Sequence, residues 1–291
     1  LLDAWTAKPT RKVLYTAVDH TLSAWLAMRD NKYVAGQFVW CGADYLGEVE
    51  WPGLFLGLGL LDHTGAFKTH GYERQAWWNP APMLHIVRTS EENARSELVP
   101  DWTPAEPDNY KHARVSVYSN CDEVELFLND KSLGVKRLNK TSLALRTWQF
   151  DYQPGVLKAV GKNGGQVVAT EELRTAGAPA KIRLTADRAK ITDSWEDVAI
   201  VRATVVDKDG VPCPNVETPV TFKIAGPGTI AAIDNAANDE PGPFQGNQRT
   251  TYRGECVAFV KASGPGALTL TASAPDLADG TATIEAAEIK K

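Results

Sequence analysis

Residues 36–48 read GQFVWCGADYLGE, and this stretch decides how the first part of the chain is interpreted. The run YVAGQFVW, residues 33–40, is apolar almost throughout, which predicts a strand buried on both faces, as in a parallel sheet. The run ends at Trp40, and glycines and acidic residues follow immediately. The sequence therefore places a large aromatic side chain beside several carboxylates at the C-terminal end of a parallel strand.

The flanking sequence predicts one helix on each side of this strand. After it, GYERQAWWN (71–79) predicts a short helix that ends before Pro80. Before it, following Pro9 and Thr10, four apolar residues recur at helical intervals of four, four and three: Leu14, Val18, Leu22 and Trp25. A (β/α)8 barrel takes about 250 residues. These one and a half βα units are too few for such a barrel, so residues 1–82 are predicted to be the tail of a larger α/β domain whose beginning is missing.

From about residue 83 the apolar period changes to two, which predicts strands separated by turns. FLNDKSLG (127–134) and GKNGGQVV (161–168) predict hairpins. TAGAPA (175–180) predicts a flexible linker between two β-sandwiches, one over residues 83–176 and an immunoglobulin-like one over 177–291. The residues therefore predict a multidomain chain, in which the end of an α/β domain is followed by two antiparallel β-sandwiches.

A long polar segment interrupts the predicted strands of the last sandwich. Residues 231–254 read AAIDNAANDEPGPFQGNQRTTYRG and contain several Pro and Gly residues. Loops of this length are usually functional or disordered. The composition favours disorder or simple packing here.

Composition and charge exclude several function classes. The formal net charge is −5, from 31 basic and 36 acidic residues, and it lacks the basic stripe that nucleic-acid binding needs. No apolar run approaches the roughly 20 residues that cross a bilayer. The first residues, LLDAWTAKPTRK, lack the order of a secretion signal. The five histidines and four cysteines lack metal-ligand spacing, so no metal or cofactor is expected and the cysteines are expected to be buried free thiols.

The residues after the buried strand allow two interpretations each. At the C-terminal end of a barrel strand, the Trp40 ring could pack against a sugar ring, or it could simply close the top of a core. Asp44, Glu48 and Glu50 could include a catalytic carboxylate pair, since glycoside hydrolysis uses two. Three acids in a single loop are more often solvated, or bonded to backbone N–H groups or to Arg74. The residues alone leave these alternatives open.

Four motifs give the chain a family resemblance. GQFVWCGADYLGE resembles the eighth-strand segment of family 2 glycoside hydrolases of the bacterial β-galactosidase type. LGLLDHTGAFKTHGYERQAWW (58–78) is similar to the passage that leads into the last barrel helix, and VYSNCDEVELFLNDKSLG (117–134) to the first sandwich after the barrel. The region from PAKIRLTAD (179–187) onward resembles the additional immunoglobulin-like or invasin-like domain of many bacterial members. The resemblance covers nearly the whole chain. It implies that residues 1–82 are the incomplete C-terminal end of a TIM barrel, so the predicted fold class is multidomain: a partial (β/α)8-barrel end (α/β) followed by two antiparallel immunoglobulin-like β-sandwiches.

The resemblance implies a retaining β-galactosidase-like enzyme whose two catalytic glutamates both lie upstream of the eighth strand. No Glu precedes Glu48 in this sequence, so neither can be placed, and the chain alone is expected to be an inactive C-terminal fragment. Trp40 matches the family's tryptophan that forms an apolar wall of the galactose subsite. Asp44, Tyr45 and Glu48 match the supporting loop that follows it.

Two departures from the family pattern bear on the substrate. Cys41 replaces the usual Thr, and Ala43 replaces the usual Phe, which leaves more room at the subsite and leaves the sugar open. The stretch LFLGLGLLD (54–62) lacks the Asn through which some members bind sodium, so sodium is not expected. The resemblance implies a carbohydrate substrate, the missing N-terminal portion of the barrel as partner, and a periplasmic or extracellular location.

Other functions remain as alternatives. One is a non-catalytic carbohydrate-binding or adhesion protein made of two sandwiches, and another is a family 2 β-glucuronidase or β-mannosidase. Trp102 and Tyr110, in VPDWTPAEPDNY (99–110), could form an exposed sugar platform or a packed linker. In the last sandwich the candidate platform is Trp195, and a spacer is the favoured role of that sandwich.

Overall fold

The computed structural model describes the backbone of residues 13–17 and, with their side chains, residues 22–50, 53–90 and 97–289. The described residues up to Pro80 are called the α/β segment. Its elements are β1 (Val13–Ala17), α1 (Leu22–Asp30), β2 (Val34–Val39), β3 (Tyr45–Leu46), β4 (Phe55–Leu56) and α2 (Thr69–Trp78).

β1 and β2 form a two-stranded parallel sheet, in which Leu14 lies opposite Gly36 and Ala17 opposite Val39. The prediction of a helix through Leu14 is therefore wrong, while the predicted helical residues Leu22 and Trp25 do lie on α1. The β-branched and aromatic side chains of VLYTA favour a strand, and pairing with β2 satisfies its backbone. Pro9, Thr10 and Val18 lie outside the described residues.

The strand β2 is less covered than its apolar sequence predicts. Its burial on both faces is not observed within the described residues, since the side chain of Phe38 is 62% exposed. The described sheet pairs β2 with β1 alone. The second predicted helix is α2, which ends at Trp78 because Asn79 takes the extended conformation, with ψ 126°, that precedes a proline.

The middle sandwich consists of two four-stranded antiparallel sheets, ordered β10-β7-β5-β6 and β12-β11-β8-β9. Its strands are β5 (Leu84–Thr89), β6 (Leu98–Val99), β7 (His112–Ser119), β8 (Glu123–Leu128), β9 (Lys131–Arg137), β10 (Arg146–Asp151), β11 (Val156–Asn163) and β12 (Gln166–Arg174). Both predicted hairpins are present, each with a two-residue turn whose residues have positive φ: Asn129 and Asp130, and Gly164 and Gly165. Such turns match the twist of the flanking strands.

The Pro-rich segment before β7 packs into the core of the middle sandwich. Trp102 is fully buried and donates its indole N–H to the Gln153 carbonyl at 3.1 Å. Tyr110 is also buried and donates its hydroxyl to the Thr89 carbonyl at 2.9 Å. The exposed-platform interpretation of these two residues is therefore wrong, because both rings complete an apolar core.

The last sandwich contains a four-stranded sheet, β13-β15-β19-β17, and a five-stranded sheet, β14-β21-β20-β16-β18. Its strands are β13 (Pro179–Ala186), β14 (Lys190–Thr192), β15 (Ala199–Asp207), β16 (Pro219–Ala225), β17 (Gly228–Asp234), β18 (Gln248–Thr250), β19 (Glu255–Ala262), β20 (Gly266–Ser273) and β21 (Gly280–Ala287). The prediction of purely antiparallel sheets is wrong for one pair, because β14 runs parallel to β21. A three-residue excursion after β13 carries the chain across to the other sheet, so β14 meets β21 in the same direction.

The predicted linker is tied to both sandwiches. Ala176 donates its backbone N–H to the Thr103 hydroxyl at 2.9 Å, and Gly177 donates to the Asp207 carboxylate at 2.8 Å. The segment is therefore held by hydrogen bonds on either side, and β13 already begins at Pro179.

No helix in the described ranges has the length and apolar character required to cross a bilayer. The four cysteines are free thiols, and Cys121, Cys213 and Cys256 are buried, whereas Cys41 is partly exposed.

Candidate functional site

Trp40 follows the last residue of β2 and is one of the large apolar side chains that remain exposed. Its side chain is 52% exposed, and its indole N–H donates to the hydroxyl of Tyr45 at 3.2 Å. The two rings meet edge to face, with centroids 6.2 Å apart. The Tyr45 hydroxyl in turn donates to a carboxylate oxygen of Glu48. We call residues 41–50 the rim loop, because this loop places Tyr45 and Glu48 around the edge of the Trp40 ring.

The hydrogen bond to Glu48 favours the neutral form of the Tyr45 phenol. That bond is the main reason why the pKa of the Tyr45 phenol is raised, and the indole N–H of Trp40 opposes the shift. The phenol therefore stays neutral and keeps its proton directed at Glu48. Burial, followed by the nearby Asp44 carboxylate, raises the pKa of the Cys41 thiol, which makes this thiol a poor nucleophile.

Asp44 lies behind the rim and is 5% exposed. Both of its carboxylate oxygens accept from the ammonium group of Lys68 at 2.8 Å, and one also accepts the backbone N–H of Gly59 at 2.7 Å. Lys68 donates further to the Gly57 carbonyl at 2.8 Å. The carboxylate is thus paired and hydrogen-bonded, as a buried charge requires. It anchors the rim loop to the strand-to-helix passage before α2.

A close backbone approach accompanies this anchor. A Cβ atom added at Gly59 would lie 2.3 Å from the Asp44 nitrogen and 2.4 Å from the Leu61 carbonyl oxygen. Asp44 donates its own N–H to Leu61 at 2.9 Å. Only glycine allows the two backbone segments to come this close at residue 59.

Arg74, considered from sequence as a partner of the loop acids, points elsewhere. It is buried on α2, where its guanidinium donates to the Gln37 side chain at 3.2 Å and lies 4.9 Å from the Trp77 ring centroid. The Asp44 carboxylate pairs with Lys68 instead. Burial lowers the pKa of Arg74.

The last sandwich reaches the rim loop through residues 235–247, which we call the docking loop. The Asn238 carbonyl accepts the backbone N–H groups of Leu54 and Phe55 at 2.9 and 3.1 Å. The Asn238 amide lies 3.5 Å from the Asp44 carboxylate. This part of the segment predicted as disordered or simply packed therefore contacts the candidate site.

The structure brings some of the candidate residues together and separates others. Trp40, Tyr45 and Glu48 form one connected group at the surface, whereas Asp44 is a buried anchor and Glu50 is exposed. Sequence reasoning missed Lys68 and Asn238. The lysine ends the motif LDHTGAFK, so a search for a cation to neutralise Asp44 could have found it, but nothing in the sequence pairs Asn238 with this loop.

A metal site is not formed by the residues with described side chains. They contain no group of three or more His, Cys, Asp or Glu side chains placed to hold an ion.

Two family models match the chain. Residues 182–283 match glycoside hydrolase family 2 C-terminal domain 5, and residues 111–169 match a domain of unknown function, DUF4982. Together they fall within the two sandwiches.

Known proteins match over a wider range that includes the rim loop. A β-galactosidase of Bacteroides ovatus is 35% identical over 267 residues, which cover 90% of this chain and 30% of that protein. A β-glucuronidase of Formosa agariphila is 28% identical over 176 residues, which cover 58% of this chain and 16% of that protein. A crystal structure of a glycosyl hydrolase family 2 member from Bacteroides cellulosilyticus matches with a TM-score of 0.87 at 29% identity, covering 98% of this chain and 40% of that one.

The chain spans less than a third of the length of these curated relatives. The motifs, the sandwiches and the matches agree: the chain belongs to glycoside hydrolase family 2.

Proposed function

We propose that this chain is the C-terminal part of a retaining β-galactosidase-like glycoside hydrolase, in which Trp40 forms an apolar wall of the sugar subsite. The α/β segment supplies the closing strand and helices of a (β/α)8 barrel. The two sandwiches follow as residues 83–176 and 177–291. The catalytic glutamates belong to polypeptide outside this sequence, so the chain by itself does not hydrolyse glycosides.

The observation that carries this proposal is the placement of the Trp40 ring. It lies at the C-terminal end of a parallel strand, where barrel enzymes bind their substrates, and its face remains half exposed. The apolar face of a pyranose ring packs well on an indole, and such a buried aromatic contact is worth roughly 1–3 kcal/mol. Tyr45 holds the Trp40 ring through the hydrogen bond from the indole N–H and an edge-to-face contact.

The retaining mechanism needs little more from this region than a shaped wall. One carboxyl group attacks the anomeric carbon and forms a glycosyl-enzyme, and a second carboxyl group acts first as acid and then as base. Trp40 positions the sugar for this attack. Tyr45 and Glu48 fix the orientation of the ring, and the Asp44–Lys68 ion pair anchors their loop.

Among the described residues around Trp40, the arrangement of charges favours a neutral sugar over a glucuronide. A glucuronide carries a carboxylate that needs a free cationic or N–H donor. Lys68, the cation of this cluster, already directs three donor bonds at Asp44 and the Gly57 carbonyl. The likeness to a named β-glucuronidase makes that activity the second candidate. Activity of the full-length protein toward nitrophenyl β-galactoside, β-glucuronide and β-mannoside distinguishes these, and we expect the galactoside to be preferred.

The test of the wall is Trp40→Ala in the full-length enzyme. Because the ring contacts the sugar in both the bound substrate and the transition state, the substitution should raise KM and lower kcat/KM by about 5–150-fold, the equivalent of roughly 1–3 kcal/mol. Trp40→Phe should restore part of the affinity. Unchanged kinetics of Trp40→Ala would remove Trp40 from the subsite.

The alternative of a sandwich-based binding or adhesion protein makes a different prediction. It requires glycan binding through a surface such as Trp195, which is 77% exposed on the last sandwich. We expect that the 291-residue chain shows no saturable glycan binding that depends on Trp195. Binding of that kind would be abolished by Trp195→Ala. Such binding, measured by calorimetry, would favour the alternative.

A further inference from the structure

The docking loop is attached to the β3–β4 hairpin, whose residue Tyr45 contacts Trp40. Its contacts begin with the Asn238 carbonyl, which accepts two successive backbone N–H groups, from Leu54 and Phe55. These residues lead into β4, and β4 pairs with β3, so that Tyr45 lies opposite Leu56 and Leu46 opposite Phe55. A short hydrogen-bonded path therefore connects the last sandwich to Tyr45.

Side chains reinforce this backbone contact. The Phe55 ring stacks on His63 with centroids 3.8 Å apart and meets Phe244 of the docking loop edge to face at 5.9 Å. The Nε2 atom of His63 lies 3.2 Å from the carboxylate of Asp234, the last residue of β17. Hydrogen bonds from backbone and side chains, together with ring contacts, thus meet at β4.

The docking loop is itself held in one conformation. Asn235 donates its amide to Glu240 and, at 3.0 Å, to the Thr250 carbonyl. The buried guanidinium of Arg249 donates to the Asn235 side-chain oxygen at 3.0 Å and lies 5.6 Å from the Phe244 ring centroid. Because these bonds hold the docking loop, the loop can in turn hold β4 in a defined position.

We propose that the docking loop is a positioning element of the sugar subsite, and that the last sandwich, rather than acting as a spacer, sets the position of Trp40 through β4, β3 and Tyr45. This inference rests on the proposed function. The residues of the docking loop do not touch the sugar. They change the affinity for the sugar by holding the rim loop in position. The substrate whose binding they influence is therefore the small glycoside at the reacting subsite.

The test uses the full-length enzyme with two docking-loop variants. Phe244→Ala removes a partly exposed ring that contacts Phe55, so the sandwich core should remain folded. A same-length Gly-Ser replacement of residues 236–241 removes the internal order of the loop. Trp195→Ala, an exposed position on the same sandwich, is the matched control.

We expect both loop variants to raise KM for nitrophenyl β-galactoside by about 3–10-fold with kcat nearly unchanged, since they loosen a wall that contacts ground and transition state alike. Hydrogen–deuterium exchange should become faster in peptides covering residues 43–60. Trp195→Ala should change neither quantity.

Two results overturn the inference in different ways. If Trp40→Ala raises KM but the loop variants do not, the docking loop has no positioning role, and the proposed function stands. If the wild-type enzyme cleaves none of the three nitrophenyl glycosides, the proposed function fails and the inference fails with it.

Discussion

The α/β segment and the two sandwiches bury different kinds of side chains. Among the described residues from 22 to 80, one apolar side chain, Ala24, is buried, together with three polar ones, Asp44, Thr64 and Arg74. The middle sandwich instead has a core of thirteen buried residues, and the last sandwich has a core of seventeen. Phe38 on β2 and Trp40 directly after β2 remain exposed, although both are large and apolar.

This difference shows how each part of the chain is stabilised. The sandwiches bury enough apolar surface to hold their own strands together, which is the main favourable term in folding. The α/β segment is joined to the sandwiches by polar contacts, such as Arg202 with Thr64 at 3.2 Å, and by ring contacts, such as Phe55 with Phe244 at 5.9 Å. The proposed barrel end would account for this pattern, because further strands would cover the faces and edges of a parallel sheet.

The largest test of the comparison replaces one phenylalanine in each region. Phe222 is fully buried in the last sandwich, so Phe222→Ala should lower the free energy of unfolding of that sandwich by about 3–5 kcal/mol. Phe38→Ala removes an exposed ring from the α/β segment and should change the free energy of unfolding by less than about 0.5 kcal/mol. Urea denaturation of the 291-residue chain measures both. Equal effects would contradict the contrast between closed and open cores.

A second test concerns the polar anchor of the rim loop. Asp44→Asn leaves Lys68 without its anion and should destabilise the loop locally by about 1–3 kcal/mol. Hydrogen exchange of peptides covering residues 43–62 measures this local opening. Glu48→Gln, which changes an exposed carboxylate in the same loop, is the control and should have a smaller effect on exchange. The reverse order would show that Asp44 does not anchor the loop.

The stability of the junction between the two sandwiches should depend on pH. Burial by itself would raise the pKa of the Asp207 carboxyl, but backbone N–H groups of Gly177, Val211 and Asp209 donate to it and hold its pKa below the usual value. A carboxyl with a lowered folded-state pKa stabilises the fold above the unfolded pKa of about 3.9, and this stability is lost as pH falls through the folded value. Asp207→Asn should therefore lower the melting temperature at pH 7, with the difference from wild type shrinking below about pH 4. Thermal melts of both proteins between about pH 3 and 7, a range that includes the ordinary Asp pKa, measure this difference in melting temperature. A difference that stayed constant over the range would contradict the prediction.

The smallest expected effect tests whether the hairpins of the sandwiches are encoded locally. Asp130 has φ 63° in the Asn129-Asp130 turn, a conformation that glycine adopts without penalty. Asp130→Gly should stabilise the middle sandwich by about 0.5–1 kcal/mol. Asn129→Gly should not, because the Asn129 side chain bonds to Pro154 and Val156. Urea midpoints of the two variants give the comparison, and stabilisation by both would show that these bonds contribute nothing.

Much of the sandwich architecture could be predicted from sequence because its signals are local. The alternation in EVELFL and the turn residues that follow it specify β8, its hairpin and its buried face together. The α/β segment is harder to predict from sequence, since VLYTA also fits a helical apolar period. Only its parallel pairing with β2 identifies it as a strand. The place of Trp40 at a strand end suggested an exposed ring, but the sequence alone could not decide between an exposed and a buried position, and the structure shows that it is exposed.

By itself, the sequence determined the order of the parts, the hairpin turns and the family, because apolar periodicity, turn chemistry and long motifs are properties of neighbouring residues. Tertiary structure alone decided that Lys68 neutralises Asp44 and that Asn238 of the last sandwich reaches Leu54 and Phe55. Such contacts join residues far apart in the chain. Their formation depends on how the packed sandwiches bring two loops within hydrogen-bonding distance, which no local pattern records.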